Sequence, residues 1–102
     1  MISEDLKRLG SEQRRVGAHL TDKPLSYHAY GQMLPTMELG YLAATLIRLV
    51  ERGVAVETAL GMFARGPRWD VAAEHFHWLE WLDARAVKVA AIQTGKTEED
   101  AR

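Results

Sequence analysis

The residues of this sequence best suited to bind a metal or move a proton are four histidines, His19, His28, His75 and His77. Two imidazoles chelate one ion from a helix when they stand three or four positions apart. His75 and His77 stand two apart, about 200° around the axis, and cannot share an ion. The same helical wheel turns His75 toward an apolar face and His77 toward solvent. Glu74, Glu80 and Asp83 lie close to His77 in sequence, with Glu80 and Asp83 one turn apart. Paired carboxylates divide acid and base roles only where burial separates their proton affinities. Arg85 and Lys88 beside this pair mark a solvated charged face instead. None of Ser3, Ser11 and Ser26 stands in a glycine-flanked nucleophile elbow, and no cysteine supplies a thiolate. Glycine-rich phosphate loops, dinucleotide fingerprints and calcium loops are missing too. We therefore assign no catalytic residue, no metal ligand and no cofactor, and read the chain as non-enzymatic.

Two further groups of residues invite a binding role. Tyr27, His28 and Tyr30 crowd a connector between Pro24 and Pro35, where aromatic rings and hydrogen-bonding groups could line a ligand loop, with His75 as a distant contributor. A small ligand-binding protein or enzyme built there is one alternative; tyrosines that merely lid the core are the plainer reading. Arg48, Arg52, Arg65 and Arg68 give segment 48–68 a charge of +2, against −3 for 69–102. Segment 46–65 also resembles helix-turn-helix spacing in its placement of Gly53, Val56 and Ala59, so a DNA-binding regulator is a second alternative. Residues 57–65 offer only Arg65 to base edges, which makes nucleic acid the lesser expectation.

The elements that must position these groups read as helices. Ile2, Leu6, Leu9, Gln13, Val16 and Leu20 advance by alternating fours and threes, the seam of one helix over 3–20 with Ser3 as its N-cap. Gly10 and Gly17 lie at nearly one azimuth beside the seam, and read either as tolerated destabilisation or as a bald strip that lets another helix approach closely. Pro24 opens a loop, and Ser26 begins a short helix limited by Gly31 and Pro35. Helix 36–52, capped by Thr36, carries Leu39, Leu42, Ala43, Leu46, Ile47, Leu49 and Val50 on a broad apolar arc, and Gly53 stops it in a left-handed conformation. Val56, Ala59, Leu60 and Phe63 continue as a helical stripe up to Gly66 and Pro67. Asp70 then caps a last helix running to about Thr94, roughly 36 Å long at 1.5 Å per residue.

That last helix carries Trp78 on its main apolar arc and Trp81 and Ile92 on one shoulder, more apolar surface than a lone small domain buries. The expected architecture is an all-α bundle of four principal helices, with at most a short fifth, over residues 1–94, followed by a flexible tail at 95–102. Its 102 residues, 47% hydrophobic with a net charge of −1, suffice for one domain. The charged start, the lack of any long apolar run and the absence of cysteine fit a cytoplasmic protein with neither signal peptide nor membrane span. Function is expected to be that of a small adaptor, inhibitor or regulator, and the surplus apolar surface of so short a chain favours a homodimer or a protein partner. Trp78, Trp81 and Ile92 would anchor that partner, and Arg48, Arg52, Arg65 and Arg68 would orient it.

Overall fold

The computed structural model describes residues 2–83, which form short helices around a small sheet rather than an all-α bundle. In chain order they are α1 (Glu4–Lys7), α2 (Ser11–Ala18), β1 (Leu25–Ser26), α3 (Tyr27–Met33), α4 (Leu39–Glu51), β2 (Ala55–Ala59), β3 (Met62–Arg65) and α5 (Trp69–Phe76). The chain is helical again over 78–83. No helix among the described residues is long and apolar enough to cross a membrane.

The seam read as one helix over 3–20 is split between α1 and α2 at Arg8, Leu9 and Gly10. Its apolar positions still face inward, with Leu6, Leu9, Val16 and Leu20 all buried. The periodicity marks the core correctly, while the extended backbone of Gly10 (φ −67°, ψ 165°) re-aims the chain between the two helices. Ser3 occupies the N-cap position of α1 without capping it; its hydroxyl donates to Asp5 Oδ1 instead.

Ser26 does cap α3, accepting from the Ala29 N–H at 3.2 Å. α4 starts two residues later than a Thr36 cap would place it, with Glu38 at the N-cap. Leu42, Leu46 and Leu49 make its buried stripe, narrower than the expected arc: Ile47 is half exposed and Leu39 is also open to solvent. Thr45, buried among them, donates to the Tyr41 carbonyl and so leaves no unpaired hydroxyl. Gly53 ends α4 at φ 77°, the left-handed stop its position implied.

The main correction concerns residues 55–65, which form a β-hairpin and not a helix. β3 is the middle strand of an antiparallel sheet of order β1-β3-β2, pairing Leu25 with Phe63 on one side and Ala55 with Arg65 on the other. Gly61 turns the hairpin at φ 76°, its N–H held by Glu57 Oε2, and Leu60 at the tip is 98% exposed. A helix would have buried Leu60 with Val56 and Phe63. The β-branched Val54, Val56 and Thr58, with a glycine fitted to a left-handed turn, favour the hairpin, and β1 supplies β3 with its second neighbour. The helix-turn-helix reading of 46–65 falls with this, because no second helix exists there to enter a groove.

The long C-terminal helix is likewise interrupted. α5 ends at Phe76, and His77 adopts a left-handed conformation (φ 58°, ψ 40°) before the chain becomes helical again at Trp78. Arg68, rather than Asp70, stands at the N-cap of α5. The break rotates the phase of everything beyond it, so Leu79, expected on the apolar arc, is 56% exposed while Trp78 is buried. His75, expected against the core, precedes the break and is exposed on α5. Ile92, the stop at Gly95 and the tail 95–102 lie outside the described residues.

Candidate functional site

The side chains that come together most distinctively are aromatic and lie where the chain after α5 folds back on α2. Trp69, buried at the start of α5, donates its indole N–H to the Gly17 carbonyl at 2.8 Å. Trp78 packs against the same glycine: a Cβ added at Gly17 would meet its ring at 2.6 Å, within van der Waals overlap. The two indoles are 5.8 Å apart, and Phe76 stacks on Trp78 at 5.7 Å with ring planes 22° from parallel. The left-handed backbone at His77 breaks the helix between Phe76 and Trp78, and the two rings meet across that break. The bald position expected at Gly17 therefore receives a tryptophan ring. Gly10, which has no atom within 4 Å of an added Cβ, receives nothing.

Beside this wall opens a cleft of about 270 Å³ lined by Ser11, Arg14, Arg15 and Ala18 of α2 and by Phe76, Trp78 and Trp81. Trp81 is 41% exposed and packs edge-on against His19 at 5.7 Å, whose Nδ1 lies 2.8 Å from the Arg15 carbonyl. The Arg14 guanidinium sits 5.4 Å from the centre of the Phe76 ring, within cation–π range. Arg15 donates to Thr36 Oγ1 at 2.9 Å. Neither arginine forms an ion pair among the described residues. The result is a rigid apolar wall with two guanidinium groups at its edge, suited to holding an apolar group together with a negative charge. It presents no nucleophile next to a base, and no cluster of three or more potential metal ligands exists among the described residues.

Of the residues singled out from the sequence, Trp78 and Trp81 thus share one cleft. The four arginines do not form an open patch. Arg65 donates to the Leu20 carbonyl and to Asp22 Oδ1, with its guanidinium 3.8 Å from the centre of the Trp69 ring. Arg68 forks onto both Asp5 oxygens at 3.0 and 3.2 Å, reaches Ser3 Oγ and donates to the Arg52 carbonyl at 3.0 Å. Arg52 in turn donates to the Asp5 carbonyl at 2.9 Å, and only Arg48 stands exposed on α4 without a hydrogen bond among the described residues. Arg52 and Arg68 hold the N-terminal segment at Asp5 to the end of α4 and the β3–α5 connection, and Arg65 holds β3 to residues 20–22. The Arg68 guanidinium, with the Ser3 hydroxyl behind it, keeps the Asp5 carboxyl well below the usual carboxylate range.

The expected ligand loop also disperses. Tyr30 is fully buried; its hydroxyl donates to the Phe63 carbonyl at 2.9 Å and accepts from the Thr21 N–H at 3.2 Å. It pins α3 to β3. Tyr27 and His28 stack on each other at 4.2 Å, and His75 lies on another element. Arg14, Arg15 and Phe76 were not among the residues the sequence marked for partner binding, because periodicity assigns the arginines to a polar face and Phe76 to a flank. The signal that pointed toward them was the notch at Gly17. No protein-family model, curated protein or solved structure matches the chain.

Proposed function

We propose that this protein is a small, non-enzymatic interaction module, an adaptor, inhibitor or regulator, that engages a macromolecular partner through the cleft between α2 and residues 76–81. One observation carries this reading: a partly exposed Trp81 beside a preorganised Phe76–Trp78 wall, edged by two arginines that pair with no carboxylate among the described residues. Tryptophan and arginine are the side chains most enriched at binding hot spots, and a ring already held in place loses little entropy on binding. The cysteine-free sequence suits a reducing compartment, and the proposal places the module in the cytoplasm.

The test is affinity capture with three baits: the wild type, Trp81→Ala, and Leu60→Ala as a control at an exposed apolar residue on the hairpin tip. A partner retained by the wild type and Leu60→Ala but lost from Trp81→Ala supports the cleft. Identical retention by all three overturns it. Sedimentation of the same proteins reports self-association, and a fall in mass confined to Trp81→Ala would make the partner a second copy.

A further inference from the structure

The chemistry of the cleft edge narrows what it accepts. Arg65 pairs with Asp22 and Arg68 with Asp5, each reaching a carboxylate from another segment. Arg14 and Arg15 form no ion pair among the described residues, and no carboxylate lines the cleft they edge. Arg14 sets its guanidinium against the Phe76 ring and Arg15 gives one N–H to the neutral Thr36 hydroxyl, so both line the cleft with donors to spare. Resting on the reading of this cleft as the binding face, we infer that its occupant is an acidic apolar peptide segment of a partner protein. A large aliphatic or aromatic side chain seats against Phe76, Trp78 and Trp81, and neighbouring carboxylates meet Arg14 and Arg15.

Size and charge favour this occupant over others. At about 270 Å³ the cleft falls just below the roughly 300–1,000 Å³ that encloses a small-molecule ligand. That is room for an anchoring side chain whose backbone stays outside. Nucleic acid binding draws on a line of cations along the strand, whereas two arginines around one cavity would release few counterions and hold a strand weakly.

A fluorescein-labelled peptide of glutamate, leucine and phenylalanine provides the probe, read by anisotropy. Its comparators are a peptide with lysine in place of every glutamate, one with alanine in place of every leucine and phenylalanine, and a labelled single-stranded oligonucleotide. The acidic apolar peptide is expected to bind, to weaken with salt, and to lose about three- to fivefold in affinity with each of Arg14→Gln and Arg15→Gln. Both substitutions lie at exposed or partly exposed positions, and unchanged thermal unfolding of the variants confirms that the fold is intact. Tighter binding of the oligonucleotide, equal binding of the lysine peptide, or equal binding of the alanine peptide each overturns the inference. Equal binding of the lysine peptide that is still lost in Trp81→Ala overturns the charge argument while leaving the cleft as the binding face. Binding of the acidic peptide that is indifferent to Trp81→Ala, with partner capture equally indifferent, removes both. Sedimentation that shows the cleft closed by a second copy also overturns the inference.

Discussion

Asp5 and Arg68 show how a sequence separation of 63 residues becomes one local electrostatic contact. The bidentate geometry favours the charged carboxylate, so the Asp5 pKa in the folded protein lies below its ordinary value of 3.8. A depressed carboxyl pKa stabilises the fold fully above the unfolded-state value, and that contribution disappears as pH falls from about 4 through the folded-state value. Wild type is therefore expected to unfold at a higher temperature than Asp5→Asn near neutral pH. The gap should close progressively on acidification below about pH 4, as thermal melts at successive pH values would show. A constant gap across that range would mean that the contact contributes through shape alone. Tyr30 makes a second residue-scale tie: its hydroxyl donates to the Phe63 carbonyl and accepts from the Thr21 N–H.

Between elements, Gly17 is where two opposed effects can be weighed. Alanine in place of a helical glycine gains up to about 1 kcal/mol in helix propensity, and less here because Gly17 is the penultimate residue of α2. Here the new Cβ would overlap Trp78, a ring buried between Gly17, Trp69 and Phe76 that has little room to give, and overpacking of this kind costs about 1–3 kcal/mol. The clash should win: Gly17→Ala is expected to lose about 1 kcal/mol net in chemical denaturation and to alter the near-ultraviolet circular dichroism of the tryptophans. Gly10→Ala, with open space around it, should leave that spectrum unchanged. The same contact marks how far elements were legible. The fours and threes of Leu6, Leu9, Val16 and Leu20 identified a buried face because burial follows side-chain direction, even where Gly10 divides the helix. Ser26 and Gly53 were readable as cap and stop because their local chemistry decides the outcome. Val56, Ala59, Leu60 and Phe63 misled because their spacing fits a helix as well as it fits a hairpin, and the choice was made by pairing with β1, more than 35 residues earlier. His77 carried no signal at all: a non-glycine residue in the left-handed region is fixed by the packing of the rings on either side of it.

For the molecule as a whole, the division of labour among its apolar residues separates what holds the fold from what faces a partner. Leu6, Leu42, Leu46 and Val54 are wholly buried in one cluster that also takes in Tyr30, Trp69 and Trp78. The N-terminal segment belongs to this cluster as fully as α4 does, through Leu6 within it and Arg68 across its edge. Two tryptophans of one cleft thus stand on opposite sides of the divide, Trp78 at 3% exposure inside the core and Trp81 at 41% outside it. Trp78 was legible as an apolar residue but not as the back wall of a cleft, since that role depends on the left-handed break at His77 and on a notch in another helix. The partition predicts separable phenotypes. Leu6→Ala should cost about 2–5 kcal/mol, a large share of the roughly 5–15 kcal/mol that stabilises an ordinary domain. It should weaken peptide binding only to the extent that it unfolds the chain. Trp81→Ala should cost little stability and abolish binding at full folding. Denaturant titrations paired with peptide anisotropy on the same samples would decide this. If binding by Leu6→Ala, corrected for its folded fraction, falls as far as binding by Trp81→Ala, then the cleft is not an independent face but an extension of the core.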